Sequence, residues 1–231
     1  MNWPSVKDLA NRLSNKKGDV ILMNKEMFLK ALELLSDRII DSKELLNDLD
    51  TQIGDSDHGS NMTRGFTEAK KKIDMVKDKD FSTILKTIAM TLISTVGGAS
   101  GPLYGTAFLK ASMSVKDREV LVGEDFIKIH ENVISGIKQR GHAERGHKTM
   151  LDAIIPAYEA FKESIEAGED LKIASQKATD AAKEGMEYTK GIKAIKGRAS
   201  FLGDRSIGHV DPGATSSFII INAINDVIKE G

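Results

Sequence analysis

Three observations predict an all-α fold for this chain. The segment 81–96 carries apolar residues at Phe81, Ile84, Leu85, Ile88, Ala89, Leu92, Ile93 and Val96, the offsets of three and four by which a helix buries one face. No stretch alternates apolar and polar residues as a half-buried strand does. Glycine and polar residues concentrate at 54–65, 97–105, 141–149 and 197–213, which read as the loops between helices.

The elements follow in order. Residues 1–23 read as an appended N-terminal arm, because Lys16-Lys17-Gly18 interrupts a short helical pattern; the domain is expected to span 24–231. Phe28, Ala31, Leu32, Leu35 and Ile39 mark its first helix, and after 81–96 helix is expected to resume at Thr106–Leu109. Leu151, Ile154, Ile155, Tyr158, Phe161 and Ile165 define another, in which Pro156 should introduce a kink or free a carbonyl. Ala174, Ala178, Ala181 and Ala182 mark the next, and Phe218, Ile221, Ile224 and Ile228 the last. Helices joined by short connections pack antiparallel, so the pattern predicts an eight-helix bundle or closed barrel with its loops gathered at the ends.

Composition narrows the partners. With 231 residues, 40% of them hydrophobic, the chain can bury the core of a single domain. Lys plus Arg (33) nearly equal Asp plus Glu (34), so no charge excess points to nucleic acid or to an anionic membrane. No apolar run approaches the ~20 residues of a membrane helix, and Met1-Asn2-Trp3-Pro4 lacks the order of a signal peptide; a cytoplasmic protein is expected. Without cysteine, any metal chemistry must use oxygen or imidazole ligands.

The main chemical signal lies in residues 44–63. They hold Glu44, Asp48, Asp50, Asp55 and Asp57 and no Lys or Arg. Asp55 and Asp57, two apart, project to one side of an extended loop, and Asp50 can reach them across the Ile53-Gly54 turn. Three carboxylates in one small volume call for a cation, and all-oxygen ligation favours Mg²⁺, Mn²⁺ or Ca²⁺ over zinc. An isolated Asp-Ser-Asp-His-Gly string also reads as a solvated turn, but an EF-hand is excluded because no Glu follows at the required place. Next to the trio, Gly59-Ser60-Asn61 can cap a helix and leave N–H groups free for a phosphate.

The other loops carry weaker signals. Gly97-Gly98-Ala99-Ser100-Gly101-Pro102 reads equally as a phosphate-binding helix start and as an ordinary turn. Gly141-His142-Ala143-Glu144-Arg145-Gly146-His147-Lys148 is not a P-loop, since His147 stands where that motif needs Lys and no strand precedes it. Thr149 is expected to cap the following helix with Asp152 in its first turn, and Met150 to pack on a base. In the last loop Arg198 is the candidate for phosphate oxygens, because a guanidinium forks onto them as Lys cannot; pairing with Asp204 is the alternative. The histidines show no zinc-hydrolase pattern, and His130 reads as packing or surface.

Four strings in sequence, IGDSDHGSNMTRGF, TVGGASGPLYGT, KTMLDAIIP and KGRASFLGDRSIGHVDPGATS, closely resemble the nucleotide-binding L subunit of bacterial dihydroxyacetone kinases over about residues 25–230. The resemblance implies an eight-helix antiparallel barrel with ADP or ATP and two Mg²⁺ at one end, the metal held by Asp50, Asp55 and Asp57. It implies nucleotide contacts from His58, Gly59, Ser60 and Asn61, from Ala99 and Ser100, from Gly141 and Met150, from Arg198, and from Asp211, Pro212 and Gly213. It further implies a partner subunit that holds dihydroxyacetone and a phosphohistidine protein that recharges the nucleotide; a homodimer stays open. His147 stands where the family commonly has Asp, which keeps in view a kinase for another short ketose such as erythrulose. A nucleotide-dependent regulator without catalysis and a metal-dependent phosphohydrolase are the other readings.

Overall fold

The computed structural model describes residues 22–231, and in it four helices begin where an Asn or Asp side chain accepts a backbone N–H. Asn24 takes the N–H of Met27, Asp80 that of Thr83, Asp170 that of Ile173 and Asp211 that of Ala214, at 2.7 to 2.9 Å. Each such cap satisfies one of the donors a helix leaves open at its start, a contribution of ~1 kcal/mol.

Nine α-helices result among the described residues: α1 (Lys25–Asp41), α2 (Lys43–Ile53), α3 (His58–Val76), α4 (Phe81–Thr95), α5 (Ser100–Ser114), α6 (Gly123–Gly141), α7 (Leu151–Glu166), α8 (Leu171–Tyr188) and α9 (Pro212–Glu230). Two 3-10 segments, Thr189–Gly191 and Arg198–Ser206, occupy the connection between α8 and α9. The expected all-α class is what forms, and the eight-helix barrel is explicit in the packing. Helices α3 to α9 each lie against the next, and α9 and α3 both pack on α1, which closes a ring of eight. Helix α2 lies outside the ring, against α3, and its C-terminus carries Asp50 to one end of the barrel.

Apolar faces turn inward from every ring helix. Phe28, Leu32, Leu35, Phe66, Ile88, Leu92, Phe126, Phe161 and Val227 belong to one continuous core, which also lines an apolar cavity of about 200 Å³. At the end opposite Asp50, Met23 and Leu121 exchange backbone hydrogen bonds at 2.9 and 3.0 Å. Met23 is 2% exposed, so the core reaches back one residue into the segment assigned to the arm; the rest of that arm, up to residue 21, lies outside the described residues.

Two loop boundaries differ from expectation. Helix α5 starts at Ser100 and not near Thr106, because a first turn needs no N–H from Pro102 and tolerates the small residues around it. Helix α3 starts at His58, so Gly59, Ser60 and Asn61 are its first turn instead of a cap before it. Pro156 is accommodated within α7, where it cannot donate to the carbonyl of Asp152. Helix α8 approaches that carbonyl so closely that a Cβ on Gly185 would stand 2.0 Å from the Asp152 oxygen. Gly185→Ala should therefore push α7 and α8 apart and lower unfolding free energy by ~2 kcal/mol, read by urea denaturation with helical circular dichroism unchanged.

Candidate functional site

An antiparallel ring puts the starts of alternate helices at the same end. Helices α3, α5, α7 and α9 begin at the Asp50 end, and His58, Ser100, Met150 and Pro212, at or beside their first residues, line one cleft of about 170 Å³ there. Each start brings partial positive charge to the cleft, so four of them make a setting for an anion.

Facing them are the carboxylates. Asp50, Asp55 and Asp57 each offer an oxygen, and these oxygens lie within 4.8 Å of one another. Asp50, 8% exposed, is held by N–H donors from Asp57 (2.9 Å) and His58 (3.1 Å), both to its Oδ2. Its Oδ1 stays clear of these bonds but abuts Gly54, where a Cβ would stand 1.9 Å away, so only glycine fits that turn. Ser56 turns the chain with a φ of 64°, returning it towards Asp50. Three hard oxygen donors, with one cation paired to them among the described residues, suit a divalent metal such as Mg²⁺. That cation is Arg198, 2.8 Å from Asp55; the alternative partner, Asp204, pairs with Lys193 instead.

His58 is buried between two hydroxyls, its Nδ1 3.1 Å from Ser100 Oγ and its Nε2 2.9 Å from Ser216 Oγ. Burial lowers its pKa to about 4 despite the Asp50 and Asp57 charges, so the ring is neutral. Asn61 accepts from the Arg64 guanidinium at 2.6 Å, which occupies its oxygen and leaves its amide donors for the cleft. Ala99, Asp211 and Gly213 also line the cleft. Three predicted residues do not. Ser60 is engaged with Asn47 through both its N–H and its hydroxyl, Gly59 lies where a Cβ would meet the Lys43 carbonyl at 2.0 Å, and Gly141 packs on Leu103. Gly59 and Ser60 thus join α3 to α2, while Gly141 supports the cleft wall from behind.

The sequence reading missed Tyr104, Ser216 and Lys148. Lys148 has the appearance of a phosphate lysine, yet its side chain is 1% exposed and points inward. Its ammonium donates to the carbonyls of His209 (2.5 Å), Thr189 (2.6 Å) and Ile192 (3.3 Å), which spends all three protons. The residue also holds a left-handed φ of 60°, a local strain that this clamp sustains. Burial lowers the Lys148 pKa, opposed by Asp211 and Asp152. Asp152 itself accepts from the N–H groups of Thr149 (2.8 Å) and Gly146 (2.5 Å), and Thr149 Oγ1 accepts from Leu151, so the expected cap is present in modified form. His130 is a packing residue, stacked near Phe161 and bonded to the Phe126 carbonyl. No helix among the described residues is long and apolar enough to cross a membrane.

The chain resembles known proteins in sequence and in fold. The DAK2 domain model matches residues 52–226. The PEP-dependent dihydroxyacetone kinase 1, ADP-binding subunit DhaL, of Listeria innocua serovar 6a is 44% identical over 201 residues, covering 87% of this chain and 96% of its own. The corresponding DhaL subunit of Escherichia coli K12 is 43% identical over 187 residues, 81% of this chain and 89% of its own. The dihydroxyacetone kinase from C. freundii, solved in complex with AMP-PNP and Mg²⁺, superposes with a TM-score of 0.68 at 23% identity, over 91% of this chain. That match spans 35% of the larger kinase chain and shows a shared fold.

Two outcomes test the cleft floor. Lys148→Met keeps the stem but strands three carbonyls, and unfolding free energy measured in urea should fall by ~3 kcal/mol. Burial raises the Asp211 pKa to about 7, against the Ala214 N–H and the Lys148 charge. The fold thus favours the neutral carboxyl: that stabilisation is complete below pH ~4, where the unfolded chain is also protonated, and is lost as pH rises to about 7. Asp211→Asn, which keeps a capping oxygen, should gain on the wild type by at most ~4 kcal/mol between pH 4 and 8; parallel stability profiles would contradict the shift.

Proposed function

We propose that this chain, which belongs to the DAK2 domain family, is the ADP- and Mg²⁺-carrying subunit of a dihydroxyacetone kinase. It takes a phosphoryl group from a phosphohistidine donor protein onto bound ADP. It then passes the group to dihydroxyacetone held on a partner subunit. The observation that carries this reading is the opposition, across one cleft, of three carboxylates and four helix starts. A nucleotide phosphate chain with its metal is the ligand that answers both halves at once.

The donor set fits the implied metal. Asp50, Asp55 and Asp57 would hold Mg²⁺, and the resemblance supports a pair of ions. When bound, Mg²⁺ neutralises phosphate charge during transfer. The chain's own residues divide the remaining work. The N–H groups of Ser100 at the start of α5 and Gly213 at the start of α9, with the Asn61 amide, donate to phosphate oxygens. Met150, 5% exposed at the cleft wall, offers an apolar face to the base. Arg198, paired with Asp55 and largely exposed, is the guanidinium that would turn to the transferring phosphoryl group. No side chain need act as nucleophile, because in phosphoryl transfer the protein chiefly positions and neutralises.

Dihydroxyacetone is preferred to erythrulose as the acceptor. The two DhaL relatives are 44% and 43% identical, against 30% for the L-erythrulose 1-kinase of Mycolicibacterium smegmatis. His147 has its Nδ1 turned to the Glu144 N–H, so its presence in place of the usual Asp does not by itself alter the cleft.

The test begins with denaturing the purified chain and analysing what it releases. ADP should be recovered, and Mg²⁺-dependent rebinding should follow; a chain that neither carries nor binds nucleotide refutes the reading. Asp57→Ala should abolish binding with helix content retained. Arg198→Ala should slow transfer to dihydroxyacetone, in the presence of donor and acceptor subunits, by ~10³-fold while changing nucleotide affinity less than ~10-fold. Transfer that never occurs despite tight binding would favour a regulator.

A further inference from the structure

Arg64 lies on the exposed side of α3 and outside the cleft, yet two of its nitrogens are engaged. Nε donates to the carbonyl of Thr95 at 2.7 Å, and Nη2 donates to Asn61 Oδ1 at 2.6 Å. Thr95 is the last residue of α4, so its carbonyl has no helical partner, and the Gly97-Gly98-Ala99 loop leaves from just beyond it. A single side chain thus ties the first turn of α3 to the root of the loop that leads into α5.

The two ends of a carboxamide do different work. Its oxygen can ligate a metal ion, whereas its NH₂ only donates, so the end that enters the cleft decides whether Asn61 serves the cation or the phosphate. Asn61 is 7% exposed and lines the cleft. A guanidinium is donor-only and so is the NH₂ of a carboxamide, so at 2.6 Å Arg64 is compatible with the oxygen of Asn61 and not with its nitrogen. The Nδ2 group is then left without a hydrogen-bond partner among the described residues. Gly97 lies against the same amide, where a Cβ would stand 2.6 Å from Oδ1 and 3.1 Å from Nδ2.

We propose that Arg64 is a positioning residue that fixes the Asn61 carboxamide as a donor to nucleotide phosphate and withholds its oxygen from the metal. The inference rests on the nucleotide-binding reading and extends it to a residue outside the cleft. No other described residue bonds to this carboxamide, so Arg64 alone among them selects its orientation. Without Arg64 the amide has two orientations, and only the one with NH₂ in the cleft serves the phosphate. Affinity then falls with the fraction of molecules that hold it. The bond to Thr95 has a separate effect, since it keeps the guanidinium from turning into the cleft itself.

The experiment measures Mg²⁺-ADP affinity by calorimetry on the full-length chain, freed of nucleotide, for Arg64→Met, Asn61→Ala and the double variant. Each single change should weaken binding by roughly tenfold. The double variant should bind within about twofold of Asn61→Ala, because with the amide gone Arg64 has nothing to orient. Losses that multiply in the double variant would overturn the proposal, since Arg64 would then touch the phosphate itself or act only by bracing the Thr95 carbonyl. Asn61→Asp guards against loss of fold: it keeps the shape and the Arg64 bond but puts an oxygen where the cleft now has NH₂. It should weaken Mg²⁺-ADP binding by at least about tenfold, and wild-type affinity in that variant would show that an oxygen serves there and overturn the proposal. Arg64→Met binding within twofold of wild type would refute the positioning role while leaving the functional reading intact. A wild type that binds no nucleotide would instead overturn the proposal together with that reading.

Discussion

Antiparallel closure of the ring is the constraint on which the rest depends. Once eight helices alternate in direction around one core, four of their starts must share an end, whatever the loops contain. Those starts bring like partial charges together, which is unfavourable unless negative charge is set against them. Helix α2, the one described α-helix outside the ring, carries Asp50 to that end, and the following turn adds Asp55 and Asp57. The fold therefore creates the need for anions, and the acidic loop over-supplies it.

The surplus has a consequence for ligands. Three carboxylates outweigh Arg198, the cation paired with them, and the starts of α5, α7 and α9 reach the same cleft. A phosphate alone would leave the carboxylates uncompensated, and a metal alone would leave the positive helix starts without an anion. Either ligand improves the setting for the other, which is positive coupling between two sites in one volume.

Much of this was legible in the sequence because it is local. Helix periodicity is set by residues three and four apart, and the carboxylate trio spans only residues 50–57, so both are visible without a fold. The loop edges were misjudged at Gly59 and Ser100, where small and polar residues look like coil but serve as first turns in close contact with neighbours. What escaped entirely was long-range. Lys148 sits in a string that imitates a phosphate loop, and only folding shows its ammonium committed to carbonyls 41 and 61 residues away. Tyr104 and Ser216, 112 residues apart, stand in two of the matched strings, but nothing local in either string pairs them.

These hidden contacts explain how the cleft can be firm and yet release its arginine. The floor is fixed by Lys148, which ties the start of α7 to the segments before and after the 3-10 turn, and by Asp211, which caps α9. The Arg198–Ser206 segment between those ties is different. It is entered through Gly197 at φ 68° and interrupted by Gly203 at φ 57°, and the Arg198 side chain is 66% exposed. A screened ion pair at such exposure contributes little to stability, so giving up Asp55 costs little. Phosphoryl transfer needs charge delivered to a moving group from a frame that does not itself reorganise. A clamped floor beneath a lightly held guanidinium meets both requirements within one connection of the chain.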